Sequence, residues 1–233
     1  MTVSGLDEIR AVQSAARAAL ASLAASITSA DSERTIAARA VACLVAQGVR
    51  DTWYYACPAL VLLGARSCAS VSGRDYSPGD EAVGETNLVT VDLSPLAGGS
   101  IGDHARSLCV EGGRVVAQPA TTAFREGLAL VASLHRHLLD TAGADTTFGA
   151  LFASIKALLD AAGFENLDLH GNLGHTLTAQ LGERRFIEAG SALRLGDAGP
   201  FAFEPHIRSR GGRWGFKRED VYLLGEDGRA LIL

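Results

Sequence analysis

Apolar residues recur at helical spacing over residues 6–29, where Ile9, Val12, Ala16, Leu20 and Leu23 share one stripe. Asp31 or Ser32 can cap a second helix over 33–47, and Gly48 closes it as a C′ glycine. The pattern then shortens. Residues 52–55 and 60–63 are β-prone runs separated by Pro58, and 70–85 is polar and turn-rich. Residues 88–93 form a continuous Val- and Thr-containing run that predicts a buried strand. Pro95 and the Gly98-Gly99 pair turn the chain, and 101–103 bring it back as a hairpin.

The second half follows the same order. Residues 122–141 predict a helix with Leu128, Val131, Leu134 and Leu138 spaced for burial, and its His135 and His137 are expected to face solvent. Thr146 or Thr147 caps a further helix over 148–162, closed by Gly163. Strand-like pieces follow at 167–177, 185–187, 201–203, 215–216, 221–224 and 230–233. The two closing glycines lie 115 residues apart. This self-similarity predicts a duplicated α+β unit, with pseudo-repeats at about 6–115 and 120–230 in one domain over 1–233 and a site between the halves.

Composition narrows the function. The 233 residues are 48% hydrophobic and 20% charged, ordinary for a soluble globular protein. A formal net charge of −5 and the lack of any basic tract argue against nucleic acid or an anionic membrane as partner. The acidic start carries no signal-peptide pattern, and residues 11–27 are interrupted by Gln13, Arg17 and several serines, so a cytoplasmic chain without a membrane span is expected. Cys43, Cys57, Cys68 and Cys109 have no CxxC spacing and are expected to be free thiols.

Asp92 and Asp103 stand eleven residues apart in this frame. An acid in an otherwise apolar strand costs roughly several kcal/mol unless a cation compensates it. The alternative is that Asp92 caps a turn and Asp103 pairs with Arg106. Further candidates are His170 and His175 in HGNLGHTL, Glu204 in FAFEPHI and Glu219 in GFKREDVYLL. Each has a plain structural reading too: a hydrogen-bonded histidine, a turn cap at Pro205, and a pairing of Glu219 with Lys217 or Arg218 on a solvated face. The ordered set Asp92, Asp103, His175, Glu204, Glu219 is more specific. It offers four carboxylates and an imidazole, which suits two divalent cations (manganese, iron, cobalt or zinc).

These residues resemble the pita-bread metallopeptidases, which include methionine aminopeptidases, Xaa-Pro aminopeptidases, prolidases and creatinase-like relatives. VTVDLSP…GDHARS is similar to that family's strand–Asp–loop–Asp element, GHTL to the start of GHGIG, FAFEP to TIEP, and KREDVYLL to RIEDTVLV. The resemblance implies an α+β fold, a curved antiparallel sheet backed by two helix pairs. It implies two metal ions held by Asp92, Asp103, His175, Glu204 and Glu219, with a water activated between them and Glu204 taking its proton. A small peptide is then the expected substrate, and a homodimer is a common assembly for such folds.

Two family histidines have no counterpart. Gly182, followed by Glu183, stands seven residues beyond His175, and residues 72–76 contain Arg74 and Asp75 where the family's LPHY segment has histidine. His170, Arg74 and His206 are candidates to replace those donors, with His170 first as a catalytic residue. Arg74, Arg208 and Arg210 are candidates to grip a substrate carboxylate. Three functions follow: a peptide- or amide-cleaving hydrolase, a family enzyme acting on a small molecule (a creatinase-like hydrolase or a lyase), and a non-catalytic peptide-binding module.

Overall fold

The computed structural model describes residues 3–178 and 180–233. Helices α1 (Val3–Ser26) and α2 (Glu33–Ala46) form an antiparallel hairpin. Ser32 caps α2 by accepting from the Thr35 amide, while the Thr35 hydroxyl accepts from the Ser32 amide. Asp31 serves a different purpose, accepting from Arg39 Nη2 at 2.5 Å and from the Thr28 amide at 2.9 Å. Helix α3 (Thr122–Thr141) matches the predicted span, and α4 (Phe148–Ala161) is capped by Thr147. Gly48 and Gly163 both follow their helices with positive φ, at 84° and 74°.

The strands are β1 (Asp51–Thr52), β2 (Ala59–Leu63), β3 (Thr86–Leu93), β4 (Pro95–Ala97), β5 (Ser100–Ile101), β6 (His104–Glu111) and β7 (Arg114–Val116). After α4 come β8 (Phe164–Asn166), β9 (Gly174–Thr176), the one-turn helix α5 (Leu195–Ala198), β10 (Phe201–Phe203), β11 (His206–Ser209), β12 (Phe216–Leu224) and β13 (Ala230–Ile232). The main sheet runs β2-β3-β6-β12-β10-β9, all antiparallel, with β7 on β6, β13 on β12, and β11 between β12 and β8. β4 and β5 form the expected hairpin around Gly98 and Gly99, both with positive φ, and β1 pairs with β4.

Several expected strands differ. Of the segment at 52–55 only Thr52 is in a strand, as the end of β1, because Tyr55 and Ala56 turn through positive φ. The long run at 167–177 is a strand only at β9, since residues 167–173 form a loop with a turn. Residues 185–187 touch β9 through a single bridge, His175 to Phe186. Conversely, the pieces at 215–216 and 221–224 are one nine-residue strand, β12, running straight through Lys217-Arg218-Glu219-Asp220.

Both helix hairpins lie against one face of the sheet. One apolar cluster gathers Leu20, Leu23, Ile36 and Leu44 with Val61, Val89 and Val91. The other gathers Phe124, Leu134, Leu138, Phe148 and Ile155 with Phe201, Phe203 and Tyr222. Among the described residues, no α-helix contributes to an apolar cluster on the opposite face. Among the described residues no helix is long and apolar enough to cross a membrane.

Candidate metal centre

Pairing register decides which side chains meet. Opposed residues on neighbouring strands point to the same face, as do residues two apart on one strand. Asp92 opposes Ala105, and Ala105 opposes Glu219. Val221 opposes Ala202, and Ala202 opposes His175. Asp103 lies two before Ala105, Glu204 two after Ala202, and Glu219 two before Val221. All five expected ligands therefore project from the face opposite the helix hairpins. They line one cavity of about 250 Å³.

His175 depends on its neighbour Gly174, whose φ is +144° and where a Cβ would come within 2.1 Å of the Ala202 carbonyl oxygen. Only glycine lets β9 lie this close to β10. The loop before it is fixed by Asp168, whose Oδ1 accepts from the amides of His170 and Asn172 and from Asn172 Nδ2. Trp53 donates its indole N–H to the Gly102 carbonyl at 2.8 Å and sets its ring edge-on to His175 at 5.8 Å.

The His175 Nδ1–H faces the Thr176 carbonyl at 3.1 Å, which leaves Nε2 with its lone pair toward the acids. Burial holds the imidazole pKa below its ordinary value, in the neutral form a metal ligand requires. Nε2 lies 3.6 Å from Asp103 Oδ2 and 3.6 Å from Glu204 Oε1. Asp103, His175 and Glu219 each offer a ligand atom within 4.8 Å of the others. Asp103 Oδ2 and both carboxylate oxygens of Glu219 are buried without a hydrogen-bond partner. Burial, reinforced by neighbouring acids, pushes both carboxyl groups well above the usual carboxylate range. Orphaned oxygens of this kind are costly, and a divalent cation satisfies them. The residues fit the group.

The sequence reading missed Lys217. Its ammonium lies in the same cavity, donating to Asp92 Oδ2 at 2.6 Å and lying 2.9 Å from Glu204 Oε2 and 3.5 Å from Glu219 Oε2. Burial works against the charge of both Lys217 and Glu204. Attraction to Asp92, then to Glu204 and Glu219, prevails at Lys217 and raises the ammonium pKa, while Lys217 and then His175 lower the Glu204 carboxyl pKa. The expected pairing of Lys217 with Glu219 thus exists, but inside the cavity and not on a solvated face. Arg184 was also missed. It lines the cavity with its guanidinium 5.9 Å from the Trp53 ring centre and 5.5 Å from that of Phe186.

The expected substrate-binding residues are placed elsewhere. Arg74 lies over the Tyr55 ring at 4.7 Å, at the rim, and does not itself line the cavity. Arg208 is tied to Glu165 at 2.6 Å, and Arg210 to Asp160 at 2.7 Å. His206 is buried, and its Nε2–H donates to the Ser67 carbonyl at 2.6 Å. His170 does line the cavity, as an exposed residue at its mouth. Arg106 pairs with Asp220, not Asp103.

His135 is corrected too. It is buried on the helix side, with Nδ1 accepting from the Tyr222 hydroxyl at 2.7 Å and Nε2–H donating to the Arg218 carbonyl at 3.0 Å. His137 is half-buried and meets the Ser154 hydroxyl at 3.1 Å. Burial drops the pKa to about 3 for His135 and about 4 for His206. Unfolded histidine titrates near about 6.5, so below that pH the unfolded chain binds protons that the folded chain refuses. Each histidine's contribution is therefore complete above about pH 6.5 and is lost as pH falls toward the folded value, at about 1.4 kcal/mol per pH unit. Urea melts between pH 6 and 4.5 should show a shallower loss for His206→Asn than for the unmodified chain. Parallel slopes would contradict the neutral buried assignment.

A family model described as metallopeptidase family M24 matches residues 7–226. No curated protein matches the chain. Among solved structures, an X-Pro aminopeptidase from Thermotoga maritima superposes with a TM-score of 0.82 at 18% identity, covering 100% of this chain and 61% of that one. A prolidase from Pyrococcus furiosus gives 0.80 at 20% identity, covering 99% and 64%. A methionine aminopeptidase from Thermotoga maritima gives 0.79 at 16% identity, covering 100% and 97%. The fold is the pita-bread α+β architecture. The chain spans under two thirds of the first two relatives and nearly the whole of the third.

Proposed function

The chain belongs to metallopeptidase family M24, and we propose that it is a metal-dependent hydrolase that attacks an amide or peptide bond in a small substrate, in the manner of an Xaa-Pro aminopeptidase or dipeptidase. The observation that carries this reading is the group of orphaned oxygens on Asp103 and Glu219 facing the free Nε2 of His175. A divalent ion bound there supplies Lewis acidity and a water acidified toward neutral pH.

The chain's own residues supply the rest. Glu204 Oε2 is held ionised by Lys217, which leaves Oε1 to accept the proton of the attacking water. We assign to His170, which lines the cavity, the donation to the developing oxyanion. Trp53 and Phe186 wall the cavity and exclude water around the reacting groups. Arg184 is half-buried against those rings and presents a planar, always-charged donor, which suits a substrate carboxylate.

Arg184→Ala should raise KM about tenfold to a hundredfold for a substrate with a free carboxylate, from the loss of a charged hydrogen bond worth about 1.5–3 kcal/mol. The corresponding amide should be little affected, and kcat should stay within a few-fold. Equal losses on both substrates would contradict this role.

A second reading has support at Gly182. It is exposed, and an added Cβ there would meet nothing within 4 Å, so the donor of peptide-cleaving relatives has no substitute at that position. That favours a small-molecule substrate over a peptide. The test is a metal-titrated screen over dipeptides, including Xaa-Pro sequences, and small amides and amino acids. Release of an N-terminal residue supports the first reading, turnover confined to non-peptides supports the second, and a chain that binds no divalent ion overturns both.

A further inference from the structure

Three of the five carboxylate and imidazole ligands expected to hold two ions lie within 3.5 Å of a cation built into the chain, and two of them, Asp92 and Glu204, lie closer than Glu219. Lys217 sits two residues before Glu219 on β12 and so enters the same face of the sheet. An ammonium carries three donors, and three carboxylates surround this one: Asp92 at 2.6 Å, Glu204 at 2.9 Å and Glu219 at 3.5 Å. Asp92 lies outside the group whose ligand atoms fall within 4.8 Å of one another. None of its side-chain oxygens is among the buried atoms left without a partner.

Among the described residues, the cavity's buried unpartnered oxygens belong to Asp103 and Glu219, next to His175 Nε2, whereas Asp92 is half-buried and gives its Oδ2 to Lys217. Metal–oxygen bonds are about 2.0–2.2 Å long. An ion bound to both Asp92 and Glu219 would therefore have to lie beside Nζ, which already holds Asp92 Oδ2.

We propose that the Lys217 ammonium stands in place of a second metal ion, so that the centre is mononuclear, with one divalent cation held by Asp103, His175 and Glu219. Glu204 Oε1, 3.6 Å from His175 Nε2, stays free to act as base beside the ion, while its Oε2 stays with Lys217. Asp92 then anchors the lysine and does not bind the ion. This inference rests on the reading that the site takes a divalent cation at all, but concerns how many it takes.

The test is equilibrium dialysis of the whole chain against Mn²⁺, with metal content measured per chain and the spin-resonance spectrum of the loaded protein recorded. One ion per chain with the spectrum of an isolated Mn²⁺ is expected. Asp92→Asn should still take up one ion, with affinity within a few-fold. Lys217→Met, which empties the position, should take up a second ion and show spin coupling. Two ions in the unmodified chain, or loss of the ion in Asp92→Asn, would overturn the inference while leaving the hydrolase reading intact. A folded Lys217→Met that stays at one ion would also overturn it. No ion bound by any form would overturn the hydrolase reading itself, and this inference with it.

Discussion

Glu219→Ala should lose the divalent ion and with it at least about a thousandfold in kcat/KM, or about 4 kcal/mol of transition-state stabilisation. Glu219 is 1% exposed in the middle of β12, and both its oxygens lack a partner. It stands beside Asp103 and within reach of His175, in the group whose ligand atoms lie within 4.8 Å of one another. The ion-free proteins should behave differently. There the wild-type carboxyl group is buried and unsatisfied, and replacing it by a methyl group removes a penalty of about 1–3 kcal/mol. In EDTA the variant should therefore melt at or above the wild-type temperature. A large drop in melting temperature would mean that Glu219 supports the fold and does not serve a ligand site.

The neighbouring position should behave in the opposite way. Asp220 projects to the helix side, where its Oδ1 accepts from Arg106 at 2.6 Å and its Oδ2 from Arg218 at 2.8 Å, with His104 3.5 Å away. Burial opposes its charge, yet His104 and Arg106 hold its pKa far below the ordinary carboxylate range. Asp220→Ala leaves the Arg106 guanidinium, itself largely enclosed, without its counter-charge. Breaking one side of a buried pair costs about 3–5 kcal/mol. For a chain of this size that lowers the melting temperature by roughly 10 °C. Metal content per folded chain should not change. Thermal melts and metal analysis on the two variants together separate the site from its support. Asp220→Ala with an unchanged melting temperature would contradict the assignment.

The helices were legible because period and punctuation agree in them. Ser32, Thr147, Gly48 and Gly163 mark ends that the structure reproduces to within a residue or two. The strand carrying Asp92 and its turn were legible for the same reason. β12 was not. A run of Lys217-Arg218-Glu219-Asp220 reads as solvated surface, yet each face of that strand meets its own counter-charges, the cavity acids on one side and Arg106 on the other. Alternation is what places charge on both faces, and no hydrophobic pattern reports it.

The candidate ligands were legible as an ordered set, and the register brings all five to one face. Lys217 was visible only as a partner for Glu219. Its burial depends on β10 and β3 closing around it, which is long-range information. Arg184 lies in a polar segment with no local signal. His135, by contrast, could have been placed inside: it falls four residues after Val131 and three before Leu138, on the stripe that was predicted to be buried. His206 and Arg208 follow Glu204 closely in sequence, and His206 even opposes Lys217 of β12, but its ring is taken up by the Ser67 carbonyl and Arg208 by Glu165, so neither lines the cavity.

The most direct test of the metal centre is a crystal structure of the chain loaded with Mn²⁺ or Co²⁺, with anomalous scattering recorded at the metal edge. The expected result is a peak about 2.0–2.2 Å from His175 Nε2 and from carboxylate oxygens of Asp103 and Glu219. An empty cavity at full metal loading, or a peak bound by other residues, would contradict it.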